Sequence, residues 1–347
     1  MKPPAGPEPE GPSVQHRSPR IGLVLGGGGV GGFAFHAGAL YALHLDLGWD
    51  PRDAEIIVGT SAGSIVGTLL RAGVTPEDLA AWCSGATPTT SGEKFRALMH
   101  HVDQMPASRR LPVPTLPGRV ALGALAHPTQ LPAALTSVLP AGLADHGERL
   151  AIIDPMLCDW PHEQLWISAV RVGDGRLTWF GGKKSSPHVG PGDHVDVDGV
   201  VRITPAQAVA ASCAIPFLAR PVRIGKHRYV DGGVRSPTNA DVLAGHQLDL
   251  IVVLSPMSKA FDGVSRSPGR RLAQRRLQQE LRVLRSLDVP VQLVAPDTAT
   301  VEAMGWNLLD RANTAAVMRS AFLGTVGQLG SSATEILLRP GDQTLVA

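Results

Sequence analysis

The chain has 347 residues, enough for one large α/β domain or two smaller ones. Hydrophobic residues make up 44% of it, so a sizeable core is available, and 32 basic against 30 acidic residues leave a formal net charge of +2. That balance gives no argument from charge for a nucleic-acid partner or a polybasic tether. Three scattered cysteines, Cys83, Cys158 and Cys213, show neither a disulfide framework nor metal-ligand spacing, which points to a reducing compartment. With no signal-peptide core and no run of 18 apolar residues, the sequence reads as soluble and cytoplasmic, with contact at a membrane surface left open.

Residues 1–19 are rich in Pro, Gly and charge and are expected to form a disordered leader before a domain over 20–328. "RIGLVL" predicts a short buried strand, followed by a run of glycines and then a helix in "AFHAGALYALHLDL", with Leu40, Leu43 and Leu47 at helical spacing. "AEIIVG" predicts a second strand and "AGSIVGTLLRAG" a helix closed by Gly73. In "TPEDLAAWC" Thr75 is placed to cap a third helix, with Pro76 in its first turn.

The Pro-rich segment 103–149 is read as a lid or insert. "QLWISAVRV-GDG-RLTWFGG" predicts a hairpin turning at Gly173–Gly175, and Trp160, Trp166 and Trp179 gather near it. "TPAQAVAASCAIPF" predicts a helix that stops before Pro216, and "PVRIGKHRYVDGG" a strand pair. "LDLIVVLSP" and "VPVQLVAP" predict buried strands on either side of the helix "GRRLAQRRLQQELRVLRSL". A last helix is expected over 311–327, with 329–347 a tail. Strands that are apolar throughout and alternate with helices imply an α/β fold in three layers, with a mainly parallel central sheet covered on both faces.

Chemistry concentrates in three places. "GTSAG" at 59–63 fits G-x-S-x-G between a strand and a helix. At such a turn the backbone is crowded; Gly59 and Gly63 remove side chains that would clash, and the Ser61 hydroxyl projects from the elbow. The same five residues also suit a plain strand-helix turn with Ser61 as an N-cap. "GGGGVGG" at 26–32 fits G-x-G-x-x-G twice, the outline of a dinucleotide loop, yet its bare amides equally suit an oxyanion hole. A ribose-binding acid is expected at the end of the second strand in the first case; Asp46 and Asp50 precede that strand, which ends in the serine elbow instead.

A serine nucleophile needs a base. The last of twelve histidines is His246, about 100 residues from the end, so no late triad histidine presents itself, and His36 reads as a packed helix residue. "YVDGG" at 229–233 offers Asp231 instead, at the end of an apolar strand and followed by Gly232 and Gly233.

Taken in order, "LVLGGGGVGG", "GTSAGS", "ASCAIPFLARPVRI" and "YVDGG" resemble the patatin-like phospholipase family. The resemblance implies a Ser-Asp dyad: Ser61 as nucleophile, Asp231 as proton acceptor, and the backbone of Gly27, Gly28, Gly29 and Val30 as oxyanion hole, with Gly32 completing the loop motif. It further implies ester hydrolysis on phospholipids, lysophospholipids or neutral lipids, with no metal or organic cofactor. A catalytically weak or silent acyl-binding protein on the same fold is the alternative. The family loop usually reads G-G-G-x-[RK]-G, and here Gly31 stands at the basic position. In the dyad a carboxylate base requires a low-dielectric pocket to raise its pKa. The basic helix at 270–286 has two readings: peripheral contact with an anionic membrane, or leucines packed on the sheet with arginines in solvent.

Overall fold

The computed structural model describes residues 17–87, 89, 92–97, 156, 159–162, 164–181, 203–216, 218–259 and 267–338. The segment read as a lid, 103–149, and most of the expected leader lie outside the described residues.

Among the described residues eight strands form one sheet: β1 (Ile21–Leu25), β2 (Ile56–Gly59), β3 (Gln164–Arg171), β4 (Leu177–Phe180), β5 (Val222–Ile224), β6 (His227–Asp231), β7 (Leu250–Leu254) and β8 (Val291–Val294). The order is β5-β6-β3-β2-β1-β7-β8, with β4 attached to β3. β3, β2, β1, β7 and β8 are mutually parallel where they pair; β4 and β6 run antiparallel to β3, and β5 to β6.

The apolar runs explain the layering. A strand sends alternate side chains to opposite faces. Leu23 and Leu25 of β1 therefore join Ile57, Leu165 and Val252 in one core, while Val24 joins Ile56, Val58, Trp166, Ile251 and Val253 in the other. The first core is covered by α1 (Gly29–Leu47), α2 (Ala62–Arg71), α3 (Pro76–Ser84), α4 (Pro205–Ser212) and α7 (Thr314–Val326). The second is covered by α5 (Pro268–Arg285) through Leu277, Leu281 and Leu284, and by a short 3-10 turn at Ala240–Leu243. Two more helices, α6 (Thr298–Met304) and α8 (Ser331–Leu337), complete the described elements used below. α8 buries Ala333 and Leu337 in the first core, so packed structure continues past residue 328, where the sequence suggested a tail.

Local signals are obeyed at several ends. Thr75 accepts a hydrogen bond from Asp78 N at 3.1 Å, and Thr204 and Gln207 form a reciprocal capping box on α4. α2 ends at Ala72, with Gly73 following at φ +89°. Trp166 and Trp179 are core residues. The stripe of leucines on α5 faces the sheet, so the apolar face that a membrane-resting helix needs is already taken. Among the described residues no helix is long and apolar enough to cross a membrane.

α1 and α7 pack so closely that Gly38 abuts the backbone of Met318 and Phe322: a methyl group there would overlap the Met318 carbonyl and lie 2.9 Å from Phe322 N. Gly38→Ala improves intrinsic helix propensity by about 1 kcal/mol, yet it is expected to destabilise the protein by roughly 1–3 kcal/mol through overpacking. Urea denaturation of the variant against the parent measures the sign.

Candidate active site

β3 decides where the functional groups meet. Ile167 pairs at once with Gly59 of β2 and Phe180 of β4, and Ala169 pairs at once with Thr178 of β4 and Asp231 of β6. A strand has two edges. β4 holds one, so β2 and β6 divide the other, β2 along the first half and β6 along the second. β2 is parallel to β3 and β6 antiparallel, so their C-terminal ends face each other across Ser168. Ser61 lies two residues beyond one of these ends, and Asp231 is the other.

The elbow has the strained geometry its glycines imply. Ser61 adopts φ 52°, ψ −119°, a left-handed φ that a residue with a Cβ rarely takes. A side chain at Gly63 would overlap the Leu25 carbonyl, and one at Gly59 would stand 2.6 Å from Ser64 Cα. The expected N-cap role of Ser61 is absent: its side chain makes no capping bond, and its backbone N–H donates to Ser212 Oγ at 2.9 Å.

Both key side chains are shielded, Ser61 at 6% and Asp231 at 5% exposure. The Ser61 side chain stands close enough to the Asp231 carboxyl to lower its pKa. Gly233 N donates to Asp231 Oδ1 at 2.7 Å, and Asp231 N donates to the Ala214 carbonyl at 3.0 Å. Burial pushes the Asp231 carboxyl up to about 6, against the lowering effect of the nearby Ser61 side chain and the Gly233 hydrogen bond. The low-dielectric surroundings expected of a carboxylate base are therefore present. Cys213, at the end of α4, sits beside them: Ser64 Oγ is 3.9 Å from its sulfur, and burial together with the Asp231 charge keeps it a neutral thiol.

The glycine loop arrives from the opposite side. α1 starts at Gly29, so part of the expected loop forms its first turn. A Cβ on Gly27 would lie 3.1 Å from Ser61 Cβ, and one on Gly32 would lie 3.6 Å from Ala62 Cβ. The N-termini of α1 and α2 are thus neighbours, and neither has an acidic residue in its first turn. One assigned donor is spent, because the Gly27 N–H bonds the Pro237 carbonyl at 2.8 Å. Among the described residues the amides of Gly28, Gly29 and Val30 have no hydrogen-bond acceptor. His36 is fully buried and packed, as its helix position suggested. Its Nε2 pairs with the Gly26 carbonyl at 2.7 Å, and burial drives its pKa down to about 4, so it holds the loop as a neutral donor.

Sequence reasoning missed the residues that lock these turns together. Ser168 Oγ lies 2.7 Å from Thr60 Oγ1, and a side chain at Gly232 would overlap Ser168 Oγ. Asn239, at φ 51°, donates to Thr60 Oγ1 at 3.2 Å, to Ser236 O at 2.6 Å and to Gly232 O at 3.4 Å. Glu280 of α5, buried, accepts from Thr238 Oγ1 at 2.6 Å and Ala240 N at 2.9 Å. An Asn in a loop and a Glu in a charged helix carry no local pattern that separates them from solvated residues.

A search of curated proteins finds no match. Among solved structures the chain is similar to VipD from Legionella pneumophila, at 14% identity and TM-score 0.39, over 90% of this chain and 66% of that one. It is also similar to the type III effector protein ExoU, at 15% identity and TM-score 0.34, over 93% of this chain and 54% of that one. The chain thus spans about two thirds and about half of those two proteins. The family model described as patatin-like phospholipase matches residues 23–244, which contain the glycine loop, the serine elbow and the Asp-Gly-Gly turn. The chain belongs to the patatin-like phospholipase family.

Proposed function

We propose that this protein is a serine lipid acyl hydrolase, cleaving carboxylic esters of phospholipids, lysophospholipids or neutral lipids through an acyl-serine on Ser61. The observation that carries the reading is the convergence of the Ser61 elbow and the Asp231 turn on Ser168 of β3, with both side chains buried and the Asp231 carboxyl pushed up to about 6 by that burial. Asp231 takes the Ser61 proton as Oγ attacks the ester carbonyl. The oxyanion collapses, the alcohol or lysolipid leaves with that proton, and water activated by Asp231 then hydrolyses the acyl-serine. The free amides of Gly28, Gly29 and Val30, at the dipole end of α1, are the donors for the oxyanion. The rival reading, a silent acyl-binding protein, draws on the loss of the Gly27 amide to Pro237 and on the glycine at position 31.

Ser61→Ala is expected to abolish hydrolysis of p-nitrophenyl acyl esters and labelling by a fluorophosphonate while leaving the circular dichroism spectrum unchanged. Full residual turnover in that variant, or a label mapped elsewhere by mass spectrometry, removes the assignment. A parent protein that folds and binds acyl chains but never labels supports the silent alternative.

The base must be ionised to act, so kcat/KM is expected to rise with pH through an apparent pKa of about 6. A profile flat between pH 5 and 8 contradicts Asp231 as the base.

The same shift predicts a stability effect. The folded-state pKa of about 6 lies above the ordinary 3.8, so the folded protein binds this proton more tightly than the unfolded chain. The contribution is present below pH 3.8 and lost as pH rises through 6; at neutral pH the buried charge is a cost. Asp231→Asn is therefore expected to inactivate the protein and to stabilise it by about 1–3 kcal/mol at pH 8. That gain should vanish below pH 4, as read by urea denaturation at both pH values.

A further inference from the structure

Arg270 stands in the first turn of α5, the helix whose arginines the sequence placed either at a membrane surface or in solvent, yet it is only 6% exposed. Its Nη1 donates to the Pro256 carbonyl at 2.8 Å and to the Ser258 carbonyl at 3.5 Å, and its Nη2 lies 3.1 Å from Met304 Sδ. Among the described residues no carboxylate pairs with it, and burial alone sets the direction of its pKa, downward. A guanidinium stays protonated in a protein, so this is a buried positive charge without a counter-ion among the described residues. Such a charge is costly, and its field is felt by whatever negative charge forms nearby.

Its surroundings show where that partner forms. Pro256 is the buttress of the glycine loop: its Cβ would lie 2.9 Å from a Cβ on Gly28 and lies 3.5 Å from one on Gly32. Met304 covers the other flank, 3.5 Å from a Cβ on Gly31, whose N–H donates to the Leu308 carbonyl at 3.0 Å. Two of the three groups that the guanidinium reaches, Pro256 and Met304, therefore pack against the loop carrying the free amides of Gly28 to Val30. A side chain at position 31 would start against the same Met304 that Arg270 reaches from behind.

We infer that Arg270 is a positioning residue for the oxyanion loop, a buried guanidinium that lends positive potential to the loop amides from behind Pro256 and Met304, where the loop itself has no basic side chain. The anion it serves is the tetrahedral oxyanion formed on the ester carbonyl of the acyl substrate, so the inference rests on the hydrolase reading and extends it. Arg270 touches no substrate. Its effect is on the affinity of the amide nest for negative charge, from behind the buried Pro256 and Met304 that pack between them.

Three substitutions separate charge from bracing. Arg270→Lys keeps the charge, Arg270→Gln keeps a donor for the Pro256 carbonyl without charge, and Arg270→Met keeps neither and suits the apolar wall at Met304. With the full chain and p-nitrophenyl butyrate, Gln and Met are expected to lower kcat and the fluorophosphonate labelling rate about tenfold while KM changes little, and Lys to retain most of both. In a Ser61→Ala background, calorimetric titration with octanoate reads anion affinity without turnover. There the Gln and Met variants are expected to bind about tenfold more weakly, and Lys near the parent.

A Gln variant equal to the parent in both assays overturns the inference, as does a Lys variant that falls as far as Met, which makes the role bracing. If the parent neither labels nor turns over, the hydrolase reading fails, and the octanoate titration still decides this one. Dependence on the charge at 270 sustains Arg270 as part of an anion site; independence, or no octanoate binding at all, overturns it. Should Met fail to fold, Gln carries the same test.

Discussion

The shared edge of β3 is the constraint on which the site depends. Two strands that approach head to head along one edge cannot continue past each other, so both must leave the sheet at the same place. One leaves through the serine elbow and the other through the Asp-Gly-Gly turn. Residues 61 and 231, 170 positions apart in the chain, are brought together by backbone pairing and not by side-chain attraction. The pairing also explains the small residues around Ser168. Gly232 passes directly over its hydroxyl, Thr60 shares a hydrogen bond with it, and any bulk there would push the two strand ends apart. The spacing of Ser61 and Asp231 is thus set by the stiffest part of the molecule, the sheet, as the preorganised chemistry proposed for them requires.

That arrangement costs stability in two ways. Ser61 is held in a left-handed φ, worth of the order of 1–3 kcal/mol for a residue with a side chain. Asp231 is held where its charge is disfavoured. The surrounding structure over-determines both. Gly27 and Thr60 are tied to the 236–240 turn, through Pro237 O and Asn239, and that turn is held by the buried Glu280. Helix α5 thereby braces the site from the far face of the sheet, with Glu280 under one loop and Arg270 under another. Its basic, amphipathic sequence looks like a surface feature, but its buried polar residues are where its structural work lies.

The fold was legible because strand and helix periods were clean. β1 and β7 are apolar at every position and are buried at every position, which is the mark of a parallel sheet covered on both sides. The site was legible through its glycines: Gly59 and Gly63 admit no side chain, and that leaves a pattern in sequence. Less could be read where geometry is non-local. The start of α1 inside the glycine run depends on the loop being pinned at Gly27 by a carbonyl more than 200 residues away, so the one donor lost from the expected oxyanion set was invisible. The same holds for Asn239, Glu280 and Arg270, ordinary polar residues whose burial follows only from the elements that cover them. The extra helix at 331–337 meets the core through Ala333 and Leu337, with Ile336 half-buried against it, too short a stretch to give a period.

Two helix ends face the reacting volume, and their effects on its two acids differ. The N-termini of α1 and α2 each present roughly half a positive charge with no acidic residue in the first turn to offset it. An alkoxide at Ser61 or an oxyanion beside the loop gains from both. A resting carboxylate at Asp231 would gain as well and become too weak a base, were the helix ends its main influence. Burial prevails instead and holds its pKa near 6. The difference lies in the donors: Asp231 receives one backbone N–H, from Gly233, whereas the free amides lie on the other side of Ser61, in the glycine loop. Negative charge is therefore better solvated after it moves from the aspartate toward the loop than before. In the proposed dyad, which has no imidazole, that gradient, built from where the amides are and are not, drives the proton and the charge in opposite directions.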